Sequence, residues 1–256
     1  MPGAKVHDAT GTKEKMGNIL YRIGLNAPDD LKGLPKYYGN DIQQLINQYI
    51  SQYKLSNEEI IELPTVEQLE TLKNITHLAP PTFSKKNGER IMVQHTDRAE
   101  LKEIIRGRCS KFGDLSFIDL NNPFWQGYVT HLVGDRIIYG SSNCVNMKKF
   151  FEDSKNPNIG PENARERLHR DWDCVNQIIE DKFGIKILPH IEAKGVVKYI
   201  EDIPTYVNVD ELLKAIEIIR DITSEMEINT IIKKVDDYFA KLQLDIDETE
   251  NGEQKQ

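Results

Sequence analysis

The chain has 256 residues, 39% of them hydrophobic and 29% charged, with 33 Lys and Arg against 41 Asp and Glu for a formal net charge of −8. That apolar share supports a sizeable core and excludes disorder throughout, and the length suits one large domain or one domain with an appendage. An acidic balance excludes a general nucleic-acid-coating protein while leaving room for a local basic groove.

Apolar runs extend for a handful of residues, short of the roughly 20 that span a bilayer, and the opening MPGAKVHDATGTKEK carries no apolar signal region. A cytoplasmic setting is expected, with a nuclear one as the alternative. Cys109, Cys144 and Cys174 are odd in number and widely spaced, matching neither a disulfide framework nor a zinc pair, and read as reduced core thiols.

In chain order, residues 1–17 lack any period and read as a flexible arm. Asn18 to Gly24 reads as a buried strand, and the following LNAPDDLKGLPKYYGN, with two Pro and two Gly, as a long connection. An Asx cap at Asn40 or Asp41 opens a helix with Ile42, Leu45, Ile46, Tyr49 and Ile50 on one stripe. Thr65 caps a short helix, VEQLETLKN, that runs into a strand at Ile75 to Ala79 before Pro80 and Pro81. Asp97 caps a helix through Phe112, Gly113 ends it, and Leu115 to Leu120 follows as a β-rich run. Beyond Pro123 the period is lost, and Val129 to Val133 with Arg136 to Tyr139 reads most simply as a hairpin around Gly134 and Asp135. Lys148 to Ser154 suggests a short helix, and Pro161 to Phe183 a long one, ended by Gly184 and followed by a strand at Ile185 to Leu188. Two further helical patterns, one from Val209 to Ile219 and one from Ile228 to Leu242, form a helical hairpin.

Repeated helix, glycine and buried strand units predict an α/β fold: a three-layer, mostly parallel sheet with a C-terminal helical hairpin. The expected organisation is a flexible arm at 1–17, an α/β domain at 18–204, a helical hairpin at 205–244 and a disordered acidic tail at 245–256. The Ile-rich stripe of the hairpin must be covered, either by the core or by a second copy of the chain.

The strand ending in Phe117-Ile118-Asp119, reached from a Pro-containing loop through a charged helix, resembles the central part of the SGNH/GDSL hydrolase superfamily, with a flavodoxin-like layout. Ile23-Gly24-Leu25-Asn26 looks like that family's Gly-x-Asn block, which implies Asn26 as an oxyanion donor. Glu166-Arg167-Leu168-His169 resembles its Asp-x-x-His block with Glu in place of Asp, which implies His169 as the imidazole and Glu166 beside it. The family's Gly-Asp-Ser nucleophile block is missing; Gly113-Asp114-Leu115-Ser116 is the nearest string and lies at the wrong end of a strand. The resemblance therefore implies a degenerate, non-catalytic binding or assembly module for protein or RNA. One alternative is an esterase-type hydrolase using His169, and another a structural viral or accessory protein that oligomerises through its C-terminal helices. The plainer reading of Glu166 and His169 is an exposed helical contact.

Lys85, Lys86 and Arg90, with Arg106 and Arg108 on the next helix, form the candidate nucleic-acid-binding patch, with Phe83 and Trp125 as stacking residues nearby in sequence. Interleaved acids make a solvated helix face the plainer reading. His77 and His95 have no carboxylate pair beside them, and the chain lacks a zinc signature, a Walker loop and a Gly-x-Gly-x-x-Gly turn. No metal and no cofactor are expected.

Overall fold

The computed structural model describes residues 9–72, 82–86, 89–93, 117–140, 143–184 and 204–253. The helices are α1 (Lys13–Gly17), α2 (Ile19–Tyr37), α3 (Ile42–Tyr53), α4 (Asn57–Glu62) and α5 (Val66–Leu72). After β1 (Thr82–Lys86) and β2 (Glu89–Val93) come α6 (Pro123–Gly140), α7 (Met147–Lys155), α8 (Gly160–Phe183), α9 (Val209–Ile222) and α10 (Ile228–Glu253).

The predicted α/β class is overturned. Among the described residues the strands are β1 and β2, an antiparallel pair, and the remaining regular structure is helical. The SGNH-like, parallel-sheet architecture falls with it. Asn18 to Gly24, read as a strand, is instead the cap and first turns of α2: the Asn18 side chain accepts from the backbone N–H of Leu20 and Tyr21. A short apolar run does not distinguish a buried strand from a buried helix. The decisive spacing lies further along, where Leu20, Ile23, Ala27, Leu31 and Leu34 are all buried on one helical stripe. That stripe passes straight through Pro28, which cannot donate to the Gly24 carbonyl, and burial of the stripe outweighs that loss. Leu115 to Leu120 is likewise no strand where it is described, since residues 117–120 are turn and irregular backbone leading into α6.

The expected hairpin at 129–139 is the middle of α6. Between Phe124 and Ile138 every residue of this helix is buried except Gln126 and Arg136. A helix buried on all sides has no polar face and therefore no period to read. It packs along α2 at a crossing built on glycine: a Cβ at Gly24 would lie 1.9 Å from the Phe124 carbonyl oxygen, and one at Gly127 would lie 2.1 Å from the Tyr21 carbonyl oxygen. Each helix offers its glycine to the other's backbone.

Other predicted helices are present with the chemistry expected of them. Asp41 caps α3 by accepting from Gln44 N–H. Thr65 and Gln68 cap α5 reciprocally, Thr65 Oγ1 accepting from Gln68 N–H and Gln68 Oε1 from Thr65 N–H. Gly184, at φ 62°, closes α8 in the left-handed region.

The two C-terminal helices pack within the chain. Leu212, Leu213, Ala215, Ile216, Ile219 and Ile222 of α9 are buried, as are Ile231, Ile232 and Val235 of α10, and the Arg136 guanidinium lies 4.1 Å from the Phe239 ring centre. The helical backbone of α10 continues to Glu253, through nine residues of the segment read as a disordered tail from 245. Near the N-terminus, Ala9 and Thr10 are buried, Arg220 donates to the Ala9 and Gly11 carbonyls, and Lys15 Nζ donates to the Thr223 carbonyl. Part of the segment read as an arm is thus tied to α9. The predicted strands at 75–79 and 185–188 and the helix from Asp97 lie outside the described residues.

Candidate functional site

The residues singled out from the sequence are not assembled into one site among the described residues. Asn26, read as an oxyanion donor at a strand end, sits inside α2 and donates to the Arg22 carbonyl one turn back. Glu166 and His169 lie on α8, with Glu166 exposed. Gly24 of the same proposed block serves the helix crossing. Lys85, Lys86 and Arg90 fall on the β-hairpin, where the register pairs Lys85 with Arg90, Lys86 with Glu89 and Phe83 with Met92. Arg106 and Arg108 lie outside the described residues. Trp125 is buried against Phe117, Phe124 and Tyr128, so its ring is not available to stack on a base.

Two arrangements that sequence reasoning missed stand out. The first is a polar seam inside the helical core. Tyr21 Oη donates to Thr130 Oγ1 at 3.1 Å, and Thr130 donates on to the Gln126 carbonyl at 2.8 Å. His131 is fully buried; its Nδ1 lies 2.8 Å from the Leu25 carbonyl oxygen, an acceptor only, so Nδ1 carries a proton. Nε2 is thereby turned toward the buried Asp135, 3.6 Å away. An imidazole sealed between two helices cannot meet a substrate, and its contact with the Leu25 carbonyl orients α6 on α2. No cluster of three or more His, Cys, Asp or Glu suited to a cation occurs among the described residues.

Asp30 borders the same seam and accepts from Tyr49 Oη at 3.0 Å. Burial, only partly offset by the Tyr49 hydrogen bond, pushes its carboxyl up to about 6. A folded-state value above the ordinary one means the native protein binds the extra proton between about pH 4 and 6, so this group costs stability as pH rises through that window. Asp30→Asn is expected to gain about 1–2 kcal/mol at pH 7, after allowing for partial exposure, and to flatten the urea-measured stability between pH 4 and 6. A variant with the wild-type pH slope would contradict this account.

The second arrangement is on the surface. Ile61 of α4 is 83% exposed, Met226 in the turn between α9 and α10 is 47% exposed, and Val66 at the start of α5 is 39% exposed. Asn122, just before α6, and Gln126, in its first turn, tie α4 and the α9–α10 turn to it. Asn122 Nδ2 donates to the Glu62 carbonyl at 2.7 Å, and one turn on, Gln126 Nε2 contacts Met226 Sδ at 3.8 Å while donating to the Leu120 carbonyl at 2.8 Å. A capping box fixes α4, with Ser56 Oγ accepting from Glu59 N–H and Glu59 Oε2 accepting from Ser56 N–H. The three contributing segments, 55–72, 117–126 and 221–232, hold Glu58, Glu59, Glu62, Glu67, Glu70, Asp119, Asp221, Glu225 and Glu227 and no Lys or Arg. Lys234, one turn beyond, reaches back to Glu225 at 2.8 Å and Asp221 at 3.2 Å. Exposed Ile61 and Met226 thus lie on elements joined at the start of α6, within segments rich in carboxylates.

A signal for this face was present in the sequence. Ile60 and Ile61 are adjacent, and neighbours on a helix point about 100° apart, so on a short helix one of the pair faces outward. The run of Glu without a basic residue from 55 to 72 marks the same place. No family model, curated protein or solved structure matches this chain. No helix among the described residues is long and apolar enough to cross a membrane.

Proposed function

We propose that this chain is a non-catalytic binding or assembly module that engages a protein partner through the face formed by α4, the start of α5, the first turn of α6 and the α9–α10 turn. The observation that carries the reading is the exposure of Ile61 and Met226, two of the five large hydrophobic side chains exposed among the described residues, on elements tied together by Asn122 and Gln126. Contiguous apolar surface rimmed by polar groups is characteristic of interaction sites. We place the interface there rather than on the Ile-rich stripe of the C-terminal helices, because Ile231, Ile232 and Val235 are already buried within the chain.

The test places a photo-reactive amino acid at position 61 and, as a control, at position 178, whose isoleucine is also exposed but lies on α8. Irradiation in native extract is expected to give a discrete protein adduct from position 61 and none from 178. Equal adducts at both positions, or none at 61, would defeat the reading. Hydrolysis of short-chain nitrophenyl esters that disappears in His169→Ala would replace it with the hydrolase alternative.

A further inference from the structure

We infer that the partner of this face is a basic amphipathic protein segment, one that sets an apolar side chain against Ile61 and Met226 and surrounds it with Lys or Arg; the inference rests on the protein-binding reading above. Charge complementarity singles out this occupant. The three segments building the face carry nine carboxylates and no Lys or Arg of their own; Lys234 beside them pairs with Asp221 and Glu225, which leaves Glu58 and Glu62 on α4, Glu67 and Glu70 on α5, Asp119 and Glu227 exposed. A nucleic acid would bring phosphate against that rim and be repelled. An acidic or neutral peptide would leave the carboxylates without partners and gain nothing from them. A second copy of the same face is self-repelling for the same reason, since a two-fold interface sets like charge against like.

The apolar centre sets the form of the ligand. Ile61 projects from a helix of one and a half turns whose two ends are fixed, by the Ser56 capping box at the start and the Asn122 bond to the Glu62 carbonyl at the end. It is therefore a rigid, pre-organised knob. Met226, by contrast, is an unbranched thioether in a turn, able to adapt its shape around an apolar side chain laid beside that knob. A short helix with one apolar stripe and flanking Lys or Arg satisfies both the knob and the rim in one approach.

The experiment uses the full chain and a synthetic 14-residue peptide of Leu and Lys at helical amphipathic spacing, titrated by fluorescence anisotropy at low and at 0.5 M salt. The peptide is expected to bind at low salt and to weaken markedly with added salt. Ile61→Asp and Met226→Asp should each weaken binding by about tenfold or more, and Glu62→Lys with Glu67→Lys should weaken it and reduce the salt dependence. Ile178→Asp should bind as the unmutated chain does. Because Ile61 is exposed, thermal unfolding of Ile61→Asp should match the parent, which separates loss of the face from loss of the fold.

Equal binding of oligolysine, which has the charge without the apolar stripe, would overturn the inference, as would preferential binding of a labelled oligouridylate. Peptide binding that emerges only in Arg106→Glu with Arg108→Glu would assign the face to this chain's own basic stretch and overturn it also. If position 61 cross-links a protein yet the basic peptide does not bind, the protein-binding reading stands and the basic partner is wrong.

Discussion

Gly24→Ala is expected to lose about 3 kcal/mol or more of folding stability, although alanine is the better helix former by about 1 kcal/mol. The two effects have opposite sign and geometry decides between them. A Cβ on residue 24 would stand 1.9 Å from the carbonyl oxygen of Phe124 and 2.7 Å from its carbonyl carbon, and both are backbone atoms that no rotamer change can move. Relief requires α2 and α6 to separate along a crossing that holds Tyr21, Leu25, Phe124 and Tyr128, all buried. Gly17, where an added Cβ meets nothing within 4 Å, supplies the control, and Gly17→Ala should be neutral or slightly stabilising. Gly127→Ala should repeat the loss, since its Cβ would stand 2.1 Å from the Tyr21 carbonyl oxygen. The double variant should cost less than the two losses combined, because a crossing opened for one methyl is already open for the other. Urea unfolding measures all four. Equal stability of Gly24→Ala and Gly17→Ala would show that the helices do not meet at their backbones.

That crossing also shows why the fold class was misread. Gly24 sits in sequence where a strand end is expected and Gly127 in a stretch with no period, because a glycine's meaning depends on what approaches it, and the approach is made by a residue a hundred positions away. The helices with one wet face were legible: Ile42, Leu45, Ile46 and Tyr49 on α3, and Leu212, Leu213, Ile216 and Ile219 on α9, keep helical spacing because their other faces meet water. The central helix α6 was not, since burial around its whole circumference removes the contrast on which a period depends. In α2, Pro28 and Pro35 drew the reading toward a loop, although Leu31 and Leu34 continue the stripe set by Ile23 and Ala27. The β-hairpin was legible and missed: Asn87-Gly88 stands between two five-residue strands, Thr82–Lys86 and Glu89–Val93, the strongest short-range hairpin signal there is. Of the candidate site, the run of Glu and the Ile60-Ile61 pair could be read locally. The contribution of Met226 could not, because only tertiary packing brings Gln126 to its sulfur.

Asp171→Ala is expected to be comparably damaging, at about 3–5 kcal/mol, and to release the C-terminal helices first. Asp171, on α8, accepts from three consecutive backbone N–H groups, those of Thr205, Tyr206 and Val207, in the segment that enters α9. Around that clasp the Asn146 N–H donates to the Tyr206 carbonyl, the Asn208 N–H donates to the Cys144 carbonyl, and Tyr206 Oη donates to Asp153. Burial is the larger influence on the carboxyl and holds it above its ordinary range despite the three donors, so deleting the group also removes a desolvation penalty. That relief is smaller than the cost it uncovers, since buried Tyr206 and Val207 would keep N–H groups with no acceptor, each worth about 1–3 kcal/mol. Asp171→Asn should fall between the two, because its amide retains one acceptor oxygen but turns an NH2 toward a donor. Hydrogen exchange provides the local readout: protection at Thr205, Tyr206 and Val207 should collapse in Asp171→Ala before that of α6 does. A loss below about 1 kcal/mol, or simultaneous loss of protection across α6 and α9, would mean that the clasp does not secure the helices that present Met226.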